Sequence, residues 1–196
     1  MNGLVLNTSN SVIRGLIINR FANGAAISVQ SGTVNDRIEG NWIGLSSAGA
    51  AAANGTGIRV SGSNHTIGGT TTAARNVVSG NTGSGIIVQD VTSSGNQVAG
   101  NFVGTNVAGT AAVPNQGVQS GVFVQNASGN TISGNVISGN TLHALTLVGA
   151  TASGNVLQAN LIGVAANNSG PLANGGIGID IVSAPGNTIG GAGGGN

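Results

Sequence analysis

The chain has no cysteine, which excludes disulfides and thiol chemistry. It has no lysine either. All five basic residues are Arg, and all lie before position 76. Charged residues make up only 5% of the 196, with a net charge of +1, so the sequence pI of about 9.2 reflects a small imbalance rather than a basic surface. A nucleic-acid partner needs clustered Lys and Arg, and that class is excluded. Aromatics are 2%, too few for a globular core of large rings. No apolar run is long enough to span a bilayer, so no membrane insertion is expected. The first ten residues lack a charged n-region and an h-region, and the chain enters directly on a strand pattern. Residues 1–196 are expected to form one module, excerpted from a longer chain between coils.

What is present is repetition. Residues 130–140 read Asn-Thr-Ile-Ser-Gly-Asn-Val-Ile-Ser-Gly-Asn. One phrase occurs twice: Asn, any residue, an aliphatic, a small residue, Gly. The aliphatic can point inward while its neighbours point out, as on a strand. Gly followed by Asn marks a corner, because both tolerate left-handed backbone angles. A chain that bends every five residues can wind and stack. Self-similarity at a fixed period predicts a solenoid.

The copies align in three columns. The first phrase starts at Ser11, Asp36, His65, Asn96, Asn130, Asn155 and Asn187, with an Ile, Val or Leu two places later in every case. The second starts at Leu16, Asn41, Asn76, Asn101, Asn135 and Asn160. A third segment (small, aliphatic, any, aliphatic) starts at Gly3, Ala26, Gly57, Gly85, Gly121, Ala144 and Gly178. The pattern predicts an all-β parallel β-helix of about seven coils with three strands per coil. Stacked coils lie about 4.8 Å apart. Asn41, Asn76, Asn101, Asn135 and Asn160 are therefore expected to form a ladder of side-chain amides that serves the corner backbone.

The distance from the second phrase to the third segment alternates short and long, so loops should protrude from one corner on every second coil. The long ones are residues 45–56, 105–120 and 164–177. The outward residue before each is large: Trp42, Phe102 and Leu161. Each loop is expected to fold back over its own large residue; the competing expectation is an exposed apolar stripe that binds a partner. A further insertion, residues 69–75, interrupts one corner.

No residues assemble for catalysis. A glycosidase needs two carboxylates on one sugar bond. Asp36 and Glu39 share a coil but point differently, and Asp90 and Asp180 are three coils apart. Arg14 and Glu39 fall in register on adjacent coils, as a surface ion pair. His65 stacks beside Asp36, where a structural hydrogen bond is expected, and His143 has no carboxylate in register. No metal ligands converge, and no cofactor is expected. An ice-binding face needs a regular Thr array, and the column Val12, Arg37, Thr66, Gln97, Thr131, Val156, Thr188 is interrupted.

Residues 187–191 (Asn-Thr-Ile-Gly-Gly), 75–81 (Arg-Asn-Val-Val-Ser-Gly-Asn) and 100–105 (Gly-Asn-Phe-Val-Gly-Thr) resemble the right-handed parallel β-helix repeats of the pectin-lyase-like fold. The nearest resemblance is to large bacterial secreted and surface proteins. It implies an extracellular or cell-surface location and a non-catalytic structural or binding module that contacts glycans or other surface proteins. Two alternatives follow. One is a polysaccharide lyase or hydrolase, or its degenerate relative; the calcium-binding carboxylate cluster and basic Arg of pectate-lyase chemistry have no counterpart here. The other is self-association, with uncapped ends stacking end to end.

Overall fold

A computed structural model describes residues 1–117 and 119–191. Every element among them is a short strand, and three parallel sheets result. Sheet A holds seven strands of three to six residues, from Leu4–Leu6 through Ala25–Val29 and Ser120–Gln125 to Ile179–Val182. Sheet B holds seven strands from Val12–Arg14 to Thr188–Ile189, and sheet C holds six from Ile17–Ile18 to Leu161–Ile162. The chain visits A, B and C in turn, and each strand pairs in parallel with its counterpart one coil away. Ile38 is paired with Ile67, Ile67 with Val98, and Val98 with Ile132. This is a three-sided solenoid whose long axis is the stacking direction.

The interior is aliphatic because the coil is narrow. Ile27, Ile58, Ile86 and Leu145 point in from sheet A, Ile38, Ile67, Ile132 and Leu157 from B, and Ile43 and Ile137 from C. All are fully buried in one continuous core. Each contributes roughly 1.5–3 kcal/mol of burial. Like residues stack on like, so β-branched side chains pack without the large rings this chain lacks.

Left-handed residues make the corners. Gly40, Gly100 and Gly134, with φ of 66°, 65° and 63°, precede Asn41, Asn101 and Asn135 between sheets B and C. At the same corner before Asn160 stands Ala159, with φ 55° and its side chain exposed. A Cβ in this region costs on the order of 1 kcal/mol. Ala159→Gly is therefore expected to stabilise the protein by about 1 kcal/mol in urea denaturation; an unchanged midpoint would mean the corner is relaxed as it stands.

Candidate functional site

Each corner is held by a ladder of buried side chains. In the second-phrase column, Asn76 shows the rule. Its Oδ1 accepts the backbone N–H and the Nδ2–H of Asn41, both at 3.0 Å. Its own Nδ2 donates to the Ile38 carbonyl at 2.7 Å and to Asn101 Oδ1 at 2.9 Å. Asn101 and Asn135 repeat the pattern, and Asn160 Oδ1 accepts from Asn135. Thus Asn41, Asn76, Asn101, Asn135 and Asn160 pair backbone groups that the bend strips from the sheets. The first-phrase column behaves alike from Asn96 to Asn187.

A third ladder, which column alignment does not reveal, occupies the corner between sheets C and A. It consists of Asn54, Asn81, Asn115, Asn140 and Asn174, with amide-to-amide distances of 2.8–3.0 Å. Its signal is an Asn at the end of every long loop, in Ala53-Asn54-Gly55, Pro114-Asn115-Gln116 and Ala173-Asn174-Gly175.

His65 and Asp36 are rungs of the first-phrase ladder, and both are fully buried. His65 Nδ1 accepts the Asp36 backbone N–H at 3.0 Å, as an Asn oxygen would, so this nitrogen carries a lone pair. The other ring nitrogen, Nε2, faces Thr33, whose hydroxyl lies 3.4 Å away. Burial lowers the His65 pKa from its usual 6.5, against smaller upward contributions from the Asp36 charge and from a hydrogen bond to the Thr33 backbone. Asp36 Oδ1 accepts the Ser11 N–H at 2.8 Å. Asp36 Oδ2 lies 3.3 Å from His65 Nδ1 and has no hydrogen-bond partner. The pair is closed to solvent, and no substrate can reach it.

The long loops are hairpins, with Leu45 bridged to Ala51, Thr105 to Ala112, and Val164 to Pro171. They meet the outer face of sheet C. Leu45, Val77, Phe102 and Val136 are buried there as a second, smaller core, with Trp42, Val113, Leu161 and Ala166 half-buried against it. Successive hairpins touch: the Ala166 N–H donates to the Gly109 carbonyl at 2.8 Å. Arg75 lies over the Phe102 ring at 4.1 Å and donates from Nε to the Gly100 carbonyl at 3.2 Å. Trp42 and Leu161 are thus half-buried against this outer core, and Phe102 is the most deeply covered of the three. The loop-free coils share the cover, since Val77 and Val136 are as buried as Phe102.

The outer face of sheet B is different. Its side chains are mostly polar and almost uncharged beyond the first two strands: Thr66, Gln97, Thr131 and Thr188 in one column, interrupted by Val156, and Ser133 and Gln158 in the other, which also holds Gly68 and Ala99. At one end stand Arg14, Arg37 and Glu39. Arg37 Nη2 is 2.6 Å from Glu39 Oε2, and Arg14 Nη1 is 3.9 Å from Oε1. These three, with Gly15, Gly40, Thr71, Ala73 and Ala74, line a cleft of about 420 Å³.

Three parallel sheets wound coil upon coil, with amide ladders at the corners, define the chain as a right-handed parallel β-helix. Residues 1–189 match the family model described as "Periplasmic copper-binding protein (NosD)", and the chain belongs to that family. No curated protein matches it.

The residues present do not fit a copper centre. Copper favours thiolate, thioether and imidazole ligands. The chain has no Cys, and its one Met is Met1 at the exposed edge. His65 is sealed in a ladder. His143 Nδ1 accepts the Ile177 N–H at 2.8 Å. Among the described residues, no three of His, Cys, Asp and Glu converge.

Proposed function

We propose that this chain is a non-catalytic binding module of the bacterial cell envelope, a rigid β-helical rod that contacts a glycan along the outer face of sheet B. The location follows the family's description as periplasmic. The observation that carries the ligand class is the sheet B surface. Thr66, Gln97 and Thr131 stand there on three successive coils at about the 4.8 Å spacing, with Ser133 and Gln158 beside them, before Val156 interrupts the column. Such a row offers donors and acceptors at regular intervals to a hydroxylated polymer.

The absence of catalysis in this reading rests on the carboxylates. Asp36 is sealed in a ladder, Glu39 is held by Arg37, and Asp90 and Asp180 stand three coils apart. None is paired across a bond in the way glycoside cleavage requires. Copper handling, in this reading, is not assigned to this chain.

The test is a glycan array probed with the full chain, together with calorimetric titration of Cu(II) and Cu(I). Retention of a defined set of glycans and no stoichiometric copper binding are expected. An array without hits sinks the glycan assignment, and tight one-to-one copper binding sinks the exclusion of a copper site.

A further inference from the structure

We propose that the cleft formed by Arg14, Arg37, Glu39 and the 69–75 insertion is a binding site for an organic carboxylate, the acid group of a sugar acid at the end of the sheet B surface. The inference rests on the glycan reading for the sugar, and on the cleft alone for the carboxylate.

The register builds the charge arrangement. Pairing of the first two sheet B strands sets Val12 beside Arg37 and Arg14 beside Glu39. The Glu39 side chain is only 9% exposed, and Arg37 holds its Oε2 at 2.6 Å. Glu39 is thereby committed and fixes the Arg37 guanidinium at the cleft wall. Arg14 is not committed. Its side chain is 75% exposed, and its one ionic contact, at 3.9 Å, is longer than a hydrogen bond. Two guanidiniums therefore flank one carboxylate, and a positive charge is left over. Asp36, the nearest other acid in sequence, is sealed inside the ladder, and the remaining two acids, Asp90 and Asp180, lie in later coils.

The insertion gives this charge a wall. Residues 69–75 occur at this corner in no other coil. They fold against Gly40, whose N–H donates to the Ala74 carbonyl at 2.9 Å, while the Ala74 N–H donates to Thr71. Nothing lies within 4 Å of where a Cβ on Gly15 would sit, so the cleft is open there. The volume of about 420 Å³ falls within the range of small-molecule sites. A carboxylate entering over Gly15 meets the free fork of Arg14 and the outer N–H groups of Arg37. Planar, two-point recognition of this kind is what guanidinium supplies and ammonium does not. The chain's exclusive use of Arg suits it.

The experiment is titration of the full chain with glucuronate, glucose and sodium sulfate, followed by amide NMR shifts around residues 14, 37 and 71. Glucuronate is expected to give saturable shifts there, glucose none, and sulfate weaker ones. Arg14→Gln removes a side chain that touches little, so its fold should persist by circular dichroism. It is expected to weaken glucuronate binding about tenfold or more, the loss of a charge-assisted pair. Arg14→Lys should restore only part of it. Undiminished binding by Arg14→Gln, shifts from glucose equal to those from glucuronate, or no shifts at all would overturn the assignment. A glycan array that retains only neutral glycans would also overturn it while leaving the module reading intact. Glucuronate bound at the cleft with no glycan retained on the array would leave the cleft standing and sink the glycan reading instead.

Discussion

Asn101→Ala is expected to destabilise the protein by about 4–6 kcal/mol. The figure follows from what the side chain holds. Asn101 Oδ1 accepts the Asn76 backbone N–H at 3.3 Å and the Asn76 Nδ2–H at 2.9 Å, and Asn101 Nδ2 donates to the Ile67 carbonyl at 2.8 Å. Alanine leaves all three groups without these partners. Asn76 and Asn101 are fully buried, so water cannot substitute. An unsatisfied buried polar group costs about 1–3 kcal/mol. The backbone N–H of Asn101 keeps its bond to Asn135 Oδ1, which limits the loss.

Position along the rod should matter. Asn174 sits at the half-buried end of the third ladder, and Asn174→Ala is expected to cost less than half as much, since removing a side chain that already faces solvent opens its partners to water. In a solenoid, stability is a sum of coils and of the interfaces between them. Loss at Asn101, in the fourth of seven coils, should therefore broaden or split the urea transition, because it weakens the coupling between the two halves. A loss under 1 kcal/mol with an unchanged transition width would mean that the aliphatic stack, not the amide ladder, holds the corners.

Much of this architecture is legible in the sequence, and the reason is register. The first two phrases lie five residues apart in most coils, so their Asn columns and inward aliphatics fall into alignment by inspection. The third ladder does not, because hairpins of variable length separate it from the second phrase. Counted backward from the sheet A segment, Asn54, Asn81, Asn115, Asn140 and Asn174 precede the small residue by 3, 4, 6, 4 and 4 positions. That spacing is irregular enough to hide a column. Arg14 and Glu39 were readable as neighbours from register alone. The cleft was not, since its wall is the non-periodic 69–75 segment, and no repeat predicts how an insertion folds. The sharing of cover over sheet C by loop-free coils was hidden for the same reason.

The double variant Asp36→Asn, His65→Asn is expected to raise stability by about 2–4 kcal/mol at neutral pH and to flatten its pH dependence. In every all-Asn rung, an Nδ2–H is aimed at the acceptor of the next coil. At Asp36 an oxygen occupies that place, 3.3 Å from a His65 nitrogen that already accepts the Asp36 N–H. Two acceptors face each other, and Oδ2 is left unpaired in a fully buried site. Asp36→Asn alone removes the unpaired buried oxygen, but its amide meets a His65 lone pair already taken by the backbone N–H, so it should recover about 1 kcal/mol and the double variant more. Replacing His65 as well restores the second amide donor that the ring withholds from Asn96 Oδ1, which here accepts only the His65 backbone N–H. The pH dependence has a definite sign. Burial lowers the folded-state pKa of His65 below 6.5, so below that pH the unfolded chain binds the proton more readily than the folded one. This contribution to stability is therefore present above pH 6.5 and is lost as pH falls through the folded-state value. Thermal unfolding from pH 7.5 to 5 should show that decline in the natural chain and in Asp36→Asn, and no such histidine contribution in His65→Asn. A double variant less stable than the natural chain would show that the ring's packing against Thr33 and Gly62 outweighs the rung it interrupts.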